Sequence, residues 1–300
     1  MSQDIRLAMI GLDTSHTVEF TKLMQSPDCP EELHVDGLHA VRCLRFATPF
    51  QQQAGLDDRQ AMMEGMGVKV TEDFDEAIDD CDAIMLEIND PSCHLDYFAR
   101  VAALGKPIFL DKPIAGTLAD AREICALANT HHTRVMSCSN LRYSRALLQA
   151  LADHPHPKVM NAFGVLGTPP AGEGVIWYGV HSFEMVQRAM GDAFTDVTAI
   201  ETPDGIISVI EYTDGRQALV ELGRSYTCFG GRLQSSDGVK PYVVDGRYLY
   251  SDLLKAVKLF LQGNDPTATL NDALSVITLM DATCRSLASG KPVTIATSLV

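Results

Sequence analysis

The chain has 300 residues, of which 46% are hydrophobic and 21% charged, as expected of a globular protein with room for two cores. Its net charge of −15 argues against binding to nucleic acid or to an anionic membrane surface, because both need basic patches. The same acidity does not repel a neutral ligand such as a sugar.

Three features predict a cytoplasmic protein. No uninterrupted apolar run reaches the roughly 18 residues that a spanning helix requires. The start, Met1–Asp4, leads into a short apolar run without the basic segment of a signal peptide. The eight cysteines are scattered and form no Cys-x-x-Cys pair, so we expect reduced thiols and no zinc site.

The first half of the chain alternates short apolar runs with helical patterns, which predicts a doubly wound parallel sheet of the Rossmann type. The predicted strands are Ile5–Ile10, Val41–Ala47, Val68–Thr71, Ala83–Ile88, Pro107–Leu110 and Arg134–Cys138, with helices near 17–25, 57–65, 73–79, 93–104, 117–129 and 144–153. Ligands of such sheets bind beyond the carboxyl ends of the strands. The residues that follow each strand are therefore the candidate site residues.

The pattern changes after the two prolines of His154–Pro157, which end the preceding helix. The predicted strands are then Val159–Val165, Asp196–Ile200, Ile206–Tyr212, Gln217–Leu222, Ser225–Phe229 and Pro292–Ala296, with helices at 180–190, 251–262 and 270–288. This pattern predicts an α+β domain with an open, mainly antiparallel sheet. We expect the domains to span 1–140 and 141–300, and the C-terminal helices could pack back on the first domain.

The first predicted strand ends in Gly11-Leu-Asp-Thr-Ser-His16, at the place of a dinucleotide-binding loop. Only Gly11 fits the three-glycine pattern, because Asp13 and His16 occupy the other two positions. A carboxylate at Asp13 would repel a diphosphate, or it could simply cap the next helix, as could Thr14 or Ser15. Thr14, Ser15 and the first-turn N–H groups could still hold a phosphate. The second strand lacks the usual acidic residue near Thr48, so the nucleotide preference stays open.

A more informative segment runs from Cys81 to Thr117, as strand, helix and strand. It presents Glu87 and Asn89 after one strand, and Asp111-Lys112-Pro113 after the next. A partly desolvated Lys112 beside a nicotinamide could assist proton transfer from a hydroxyl group. Alternatively, Lys112 is an ordinary surface lysine that precedes a proline.

This segment resembles the glucose–fructose oxidoreductase, inositol dehydrogenase and MocA (Gfo/Idh/MocA) family, whose hallmark is Glu-Lys-Pro at the end of the fifth strand. Asp111 is a conservative departure from that hallmark. Ser139–Tyr143 resembles the family's Asn-Arg-Arg-Phe turn, and Ser289–Ile295 resembles its closing strand. The start of the chain resembles an atypical branch. The resemblance implies NAD or NADP as cofactor, oxidation of a sugar or cyclitol hydroxyl, and a homodimer or homotetramer joined through the open sheet.

In the second half, Gly179 and His181 match the family's glycine and histidine, whereas Trp177 stands in place of the family's aspartate. Glu184, on the same helix face, could orient His181. Trp177 offers an apolar face that suits a sugar ring, or it is ordinary core. This replacement leaves Lys112 and His181 as the catalytic candidates.

We therefore expect an NAD(P)-dependent oxidoreductase acting on a small polyhydroxylated substrate. The candidate cofactor-binding residues are Gly11, Asp13, Thr14, Ser15, His16, Thr48, Glu87, Asn89, Asp111, Lys112 and Asn140. The candidate substrate-binding residues are Lys112, Asn140, Arg142, Trp177, Tyr178 and His181. No local spacing of histidines or cysteines indicates a metal. Two alternatives remain: a redox-neutral lyase or isomerase with bound NAD, and a non-catalytic ligand-binding protein that kept the fold.

Overall fold

A computed structural model describes residues 4–296 and divides the chain into two compact units. The first unit contains residues up to Ser137 together with Tyr250–Leu270, and the second contains Cys138–Leu249 and the residues from Asn271 onward. The chain thus returns to the first unit for one C-terminal segment.

The first unit is a six-stranded parallel sheet in the order β3-β2-β1-β4-β5-β6, which confirms the predicted Rossmann-type architecture. Its strands are β1 (Ile5–Ile10), β2 (Leu38–Leu44), β3 (Lys69–Thr71), β4 (Ala83–Leu86), β5 (Ile108–Leu110) and β6 (Val135–Ser137). Its helices are α1 (His16–Gln25), α2 (Gln53–Gly65), α3 (Phe74–Ile78), α4 (His94–Val101) and α5 (Leu118–His131), joined by nearly all of α9 (Leu249–Leu261). The central strands β1, β4 and β5 are almost wholly buried, as expected of a sheet covered on both faces.

The prediction for β2 was wrong by three residues at each end. We expected Val41–Ala47, whereas the strand begins at Leu38 and ends at Leu44. Its last residue pairs with Ile10 of β1, so Arg45 to Thr48 belong to the loop beyond the sheet edge. The apolar pair Phe46-Ala47 misled the prediction, since Phe46 instead stacks on Tyr97 with ring centroids 4.4 Å apart.

The second unit contains a seven-stranded sheet in the order β12-β11-β7-β10-β9-β8-β13. Its strands are β7 (Val159–Val165), β8 (Phe194–Glu201), β9 (Gly205–Tyr212), β10 (Gln217–Gly223), β11 (Gly230–Ser235), β12 (Gly238–Val243) and β13 (Val293–Thr294). Its helices are α6 (Arg145–Asp153), α7 (Gly174–Trp177), α8 (Val180–Met190) and α10 (Leu270–Ser289), of which α10 starts one residue before the unit. Only β7 and β10 pair in parallel, so the sheet is mainly antiparallel, as predicted.

The predicted strand Ser225–Phe229 is wrong, because these residues form a bend and a loop. The real hairpin lies just beyond it, where β11 pairs with both β12 and β7. One face of the sheet is covered by α8 and α10; for instance, Ser208 of β9 contacts Thr283 of α10 through their hydroxyl groups, 2.8 Å apart. Among the described residues, no helix is both long and apolar enough to cross a membrane.

Candidate active site

The candidate residues of the first unit collect at one edge of its sheet. Ile10 pairs with Leu44 and Leu86, and Leu86 pairs with Leu110, so four neighbouring strands end in one row. The loops that begin with Gly11, Arg45, Glu87 and Asp111 therefore lie side by side at the carboxyl edge.

Gly11 is required by the closeness of two of these loops. Its φ of +112° is disfavoured for other residues, and a Cβ built there would lie 2.3 Å from the carbonyl oxygen of Glu87. Any side chain would therefore push β1 away from β4 at the start of the site.

Asp13 joins three loops through its carboxylate. Oδ1 accepts a hydrogen bond from the backbone N–H of Asn89 at 2.8 Å, and Oδ2 accepts from the hydroxyl of Thr48 at 2.7 Å and the N–H of Asp90 at 3.3 Å. The side chain is buried, and this burial raises its pKa against the opposing effect of those donors. Asp13 is therefore neither a helix cap nor a charge presented to a diphosphate, and both sequence-based interpretations need correction.

Two buried acidic side chains, Glu87 and Asp111, lie beside His16, the first residue of α1. Burial raises the pKa of Glu87 well above its ordinary range, the charge of Asp111 adds to this rise, and Lys112 opposes it. Burial by itself would also raise the pKa of Asp111, but the charges of His16 and Lys112 hold that pKa below its ordinary value. Burial and the neighbouring charges therefore shift the pKa values of these two carboxyl groups in opposite directions.

His16 is the third member of this cluster. Its Nδ1 lies 2.7 Å from Asp111 Oδ2 and 3.9 Å from Glu87 Oε2. Its ring also contacts those of Phe20 and Tyr250, with centroids 5.2 and 5.3 Å away. The residue in the third glycine position of the loop therefore points into the sheet edge, where it meets the Asp-Lys-Pro segment.

Lys112 follows β5 directly and is 7% exposed, so it is not the ordinary surface lysine of the alternative interpretation. His94 contacts the loops after β4 and β5. Its Nε2 lies 2.8 Å from the carbonyl oxygen of Ile88, and its Nδ1 lies 3.2 Å from that of Ile114. This fully buried histidine thus ties the loop after β4 to the loop after β5.

The second unit has its own polar cluster, centred on His181 of α8. Its Nδ1 lies 2.6 Å from the hydroxyl oxygen of Ser139, and Glu184 accepts a hydrogen bond from the backbone N–H of Ser139 at 3.2 Å. Glu184 also pairs with Arg142 at 3.0 Å. Glu184 thus supports His181 through Ser139, which directly follows the predicted strand Arg134–Cys138 and to which sequence reasoning gave no specific role.

Arg142 has a different role from the predicted one. It is 4% exposed, donates to Glu184 and to the side-chain oxygen of Gln187, and lies 3.8 Å from Asp272. Because acceptors of its own unit surround the guanidinium, Arg142 stabilises the fold and is not free to contact a substrate. Asn140, which follows Ser139 in the chain, is also buried.

An aromatic group surrounds His181. The rings of Tyr178 and Phe229 meet the imidazole edge-on, at centroid distances of 5.0 and 5.4 Å, and Trp177 packs against Tyr178 at 5.2 Å. Trp177 and Tyr178 are half-buried, so each keeps some exposed ring surface. Phe229 was not predicted, because only the packing of its loop against α8 brings it here.

Comparison with known proteins agrees with this architecture. Residues 5–138 match the model of the Gfo/Idh/MocA family, described as an oxidoreductase family with an NAD-binding Rossmann fold. The first unit is therefore similar to the NAD-binding domain of that family. The rhizopine catabolism protein MocA of Rhizobium meliloti is 26% identical over 256 residues, which cover 73% of this chain and 81% of that protein.

Two solved structures show the same fold over almost the whole length of this chain. GenD2 of gentamicin A biosynthesis, crystallised with NAD, superposes with a TM-score of 0.80 at 16% identity and covers 99% of this chain and 98% of its own. A myo-inositol dehydrogenase of Corynebacterium glutamicum gives a TM-score of 0.77 at 17% identity, with 98% and 100% covered.

The residues at the sheet edge fit a dinucleotide at the phosphate end. Helix α1 begins after Ser15, whose side chain makes no capping hydrogen bond, and the hydroxyl of Thr14 accepts from the N–H of His16 at 3.2 Å. The N–H groups that follow in the first turn are the donors for a phosphate. The carboxylate of Asp13 is turned towards the loops after β2 and β4 and is matched by three donors. The first unit is therefore an NAD-binding Rossmann domain in which the missing glycines are replaced by internally bonded polar side chains.

Proposed function

We propose that the protein is an NAD(P)-dependent dehydrogenase that acts on a hydroxyl or carbonyl group of a sugar-like or cyclitol substrate. The observation that carries this proposal is the placement of Lys112, buried directly after β5 at the edge where four strands end. A myo-inositol dehydrogenase among the proteins of the same fold supports the substrate class.

The nucleotide would be held by the first turn of α1 and by the loops that begin at Gly11, Arg45 and Asn89, and its nicotinamide would supply a hydride acceptor. Lys112 would take the proton of the substrate hydroxyl and stabilise the developing negative charge on its oxygen. Against the effect of burial, the charges of His16 and Lys112 lower the pKa of Asp111, the residue before this lysine.

In the second unit we assign a second proton-handling role to His181. Nδ1 faces the hydroxyl of Ser139, which orients the ring, and Nε2 is the other polar atom of the ring. The exposed parts of Trp177 and Tyr178 would contact the apolar face of a sugar ring. We propose a homo-oligomer and, because all eight cysteines are free thiols, a cytoplasmic location.

Turnover of a substrate panel tests the proposal. Purified protein would be mixed with NAD⁺ or NADP⁺ and a panel of cyclitols, aldoses and their acids, and reduction would be followed at the nicotinamide absorbance band. We expect turnover with at least one polyol, and calorimetry should show nucleotide binding. Nucleotide binding without turnover or interconversion of any panel member would favour a non-catalytic binding protein. A product formed with no net change in nicotinamide absorbance would favour the lyase or isomerase.

A further inference from the structure

One side-chain cluster is left unexplained by the dehydrogenase proposal. His16, Glu87 and Asp111 come from three different loops, and each offers one nitrogen or oxygen atom within 4.8 Å of the others. The two carboxyl groups are fully or almost fully buried, and His16 is partly buried. Three potential metal ligands of this kind seldom converge in a protein interior without a ligand of their own.

The hydrogen bonding of this cluster is incomplete. In the part of the chain that the structure describes, both carboxyl oxygens of Glu87 and Oδ1 of Asp111 are buried without a hydrogen-bond partner. Buried polar atoms in folded proteins nearly always have one, and an unpaired buried carboxylate is especially costly. One bound cation would supply a partner for all three oxygens and for the adjacent imidazole nitrogen.

We propose that His16, Glu87 and Asp111 bind a divalent transition-metal ion such as Mn²⁺ or Zn²⁺. One imidazole and two carboxylates form a ligand set that suits these ions, and the burial of the site opposes a fully hydrated Mg²⁺. Ligand atoms around a tetrahedral ion with bonds of about 2.0–2.1 Å are roughly 3.3 Å apart. The observed separations of 2.7 Å and 3.9 Å from His16 Nδ1 bracket that value, so side-chain adjustment suffices.

The ion would change the electrostatics of the sheet edge. Without it, two acidic side chains lie below the N-terminal end of α1, where a nucleotide phosphate is expected to bind. Three protein ligands leave at least one coordination position for water or for an anionic oxygen. The bound ion would therefore convert an acidic edge into one that accepts an anion. Nothing in the dehydrogenase proposal requires this metal, so the two proposals stand or fall separately.

Sequence reasoning predicted no metal because it searched for histidines and cysteines at short spacings. The three ligands here come from the loops after β1, β4 and β5 and are far apart in the chain. Only the parallel order of these strands in the sheet brings them together. Two of the departures from the pattern of the resembled family, His16 in a glycine position and Asp111 in the Glu-Lys-Pro hallmark, belong to the ligand set.

The test uses Mn²⁺ alone, without nucleotide or substrate, because the eight free cysteines favour Zn²⁺ over Mn²⁺ and would confuse a zinc titration. Chelator-treated protein would be titrated with Mn²⁺, with bound ion measured by calorimetry and by loss of the free-ion electron paramagnetic resonance signal. A background variant, His131→Gln with His132→Gln, removes the exposed histidine pair. We expect one ion per chain, with a higher melting temperature when the ion is bound.

The ligand variants decide the assignment. Glu87→Gln keeps the side-chain shape and should weaken Mn²⁺ binding at least about tenfold, since even outer-shell changes commonly cost about 10–100-fold. Asp90→Asn is the matched control, because Asp90 is a buried carboxylate at the same edge that bonds Ser92; its affinity should stay near that of wild type. If Glu87→Gln does not fold, His16→Gln takes its place with the same expectation. No stoichiometric binding by wild type, or equal affinity in wild type and ligand variants, would overturn the proposal.

Discussion

At the sheet edge, polar side chains occupy positions that glycines hold in the usual nucleotide loop. Asp13 stands where a glycine would allow close approach of a diphosphate, yet its carboxylate bonds two backbone N–H groups and Thr48. Its negative charge is thereby distributed among donors of the protein itself. This residue stabilises the arrangement of three loops at the sheet edge where we propose that the nucleotide binds.

Replacing Asp13 by glycine should therefore weaken the protein, although the variant restores the family's loop pattern. Two backbone N–H groups and one hydroxyl would lose their acceptor. The contact of the Asp90 N–H is buried and the other two are part-buried, and a buried group left unsatisfied typically costs about 1–3 kcal/mol. We expect a loss of roughly 2–4 kcal/mol in the free energy of unfolding and weaker nucleotide binding, measured by denaturant unfolding and calorimetry. A glycine variant that binds nucleotide more tightly and unfolds like wild type would restore the repulsion hypothesis.

We expect Ser139 to act only by orienting the imidazole ring of His181. Ser139→Ala removes the hydroxyl 2.6 Å from Nδ1, and with it the acceptor for the N–H of Leu141, but leaves the backbone N–H that donates to Glu184. We expect kcat to fall by about 3–30-fold, the rough equivalent of one hydrogen bond of 0.5–2 kcal/mol, and the pH profile of kcat to shift. Ser139→Thr keeps a hydroxyl and should retain most of the profile. An unchanged pH profile in Ser139→Ala would mean that Ser139 does not set the state of His181.

The sequence predicted which residues follow the strands, but it could not predict their partners. Gly11, Glu87, Asn89 and Lys112 follow buried strands, and parallel strands bring their carboxyl ends to one edge. The direction in which Asp13 points depends on the spacing of neighbouring loops. Such contacts depend on three-dimensional packing, and no local pattern records them.

At the scale of elements, α8 is fixed to the turn before α6 by a buried ion pair. Glu184 pairs with Arg142, and Gln187 of the same helix accepts from Arg142 and donates to Asp272. Burial raises the pKa of Glu184 while Arg142 opposes this rise. The ion pair therefore holds the helix that carries His181 in a defined position.

Removing one partner of this ion pair should lower the free energy of unfolding by more than the pair itself contributes. Glu184→Gln leaves the Arg142 guanidinium buried without its main counter-charge, and removal of one partner of a buried pair typically costs about 3–5 kcal/mol. We expect a clear drop in the melting temperature by calorimetry. Glu173→Gln, on an exposed residue of the same unit, is the control and should melt like wild type. Equal melting of both variants would show that the pair contributes little.

Elements with strong local patterns were predicted well, and elements fixed by distant pairing were not. β1, β7 and α8 match their predicted positions, because apolar periodicity and flanking turns define them locally. The hairpin of β11 and β12 was missed, since its residues alternate weakly and Pro241 lies inside a strand. Its order comes from pairing with β7, which lies far away in the chain.

At the scale of the whole molecule, one face of the second sheet carries partly exposed apolar residues. Ile207 and Val209 of β9 alternate with buried neighbours and point to the face opposite α10. Ile207 pairs with Ile200 of β8, which is 57% exposed, and Val209 pairs with Leu219 of β10. A row of this kind is typical of a sheet that associates with another copy.

Light scattering should therefore give a mass of at least twice the 32.7 kDa of one chain. Ile207→Lys should shift the protein towards the monomer, because a charge in an apolar interface is costly to desolvate. Met62→Lys, on an exposed apolar residue of α2, is the matched control and should leave the mass unchanged. A wild-type monomer at micromolar concentration would refute association through this sheet.

Turnover of Lys112→Met measures most directly whether Lys112 carries the substrate proton. Lys106, just before β5, is the matched control at the opposite end of the same strand. With the best substrate of the panel, Lys112→Met should lose about 10²–10⁴-fold in kcat while nucleotide affinity changes little, and Lys112→Arg should not restore it. Lys106→Met should keep turnover near that of wild type. Full turnover by Lys112→Met would contradict the account.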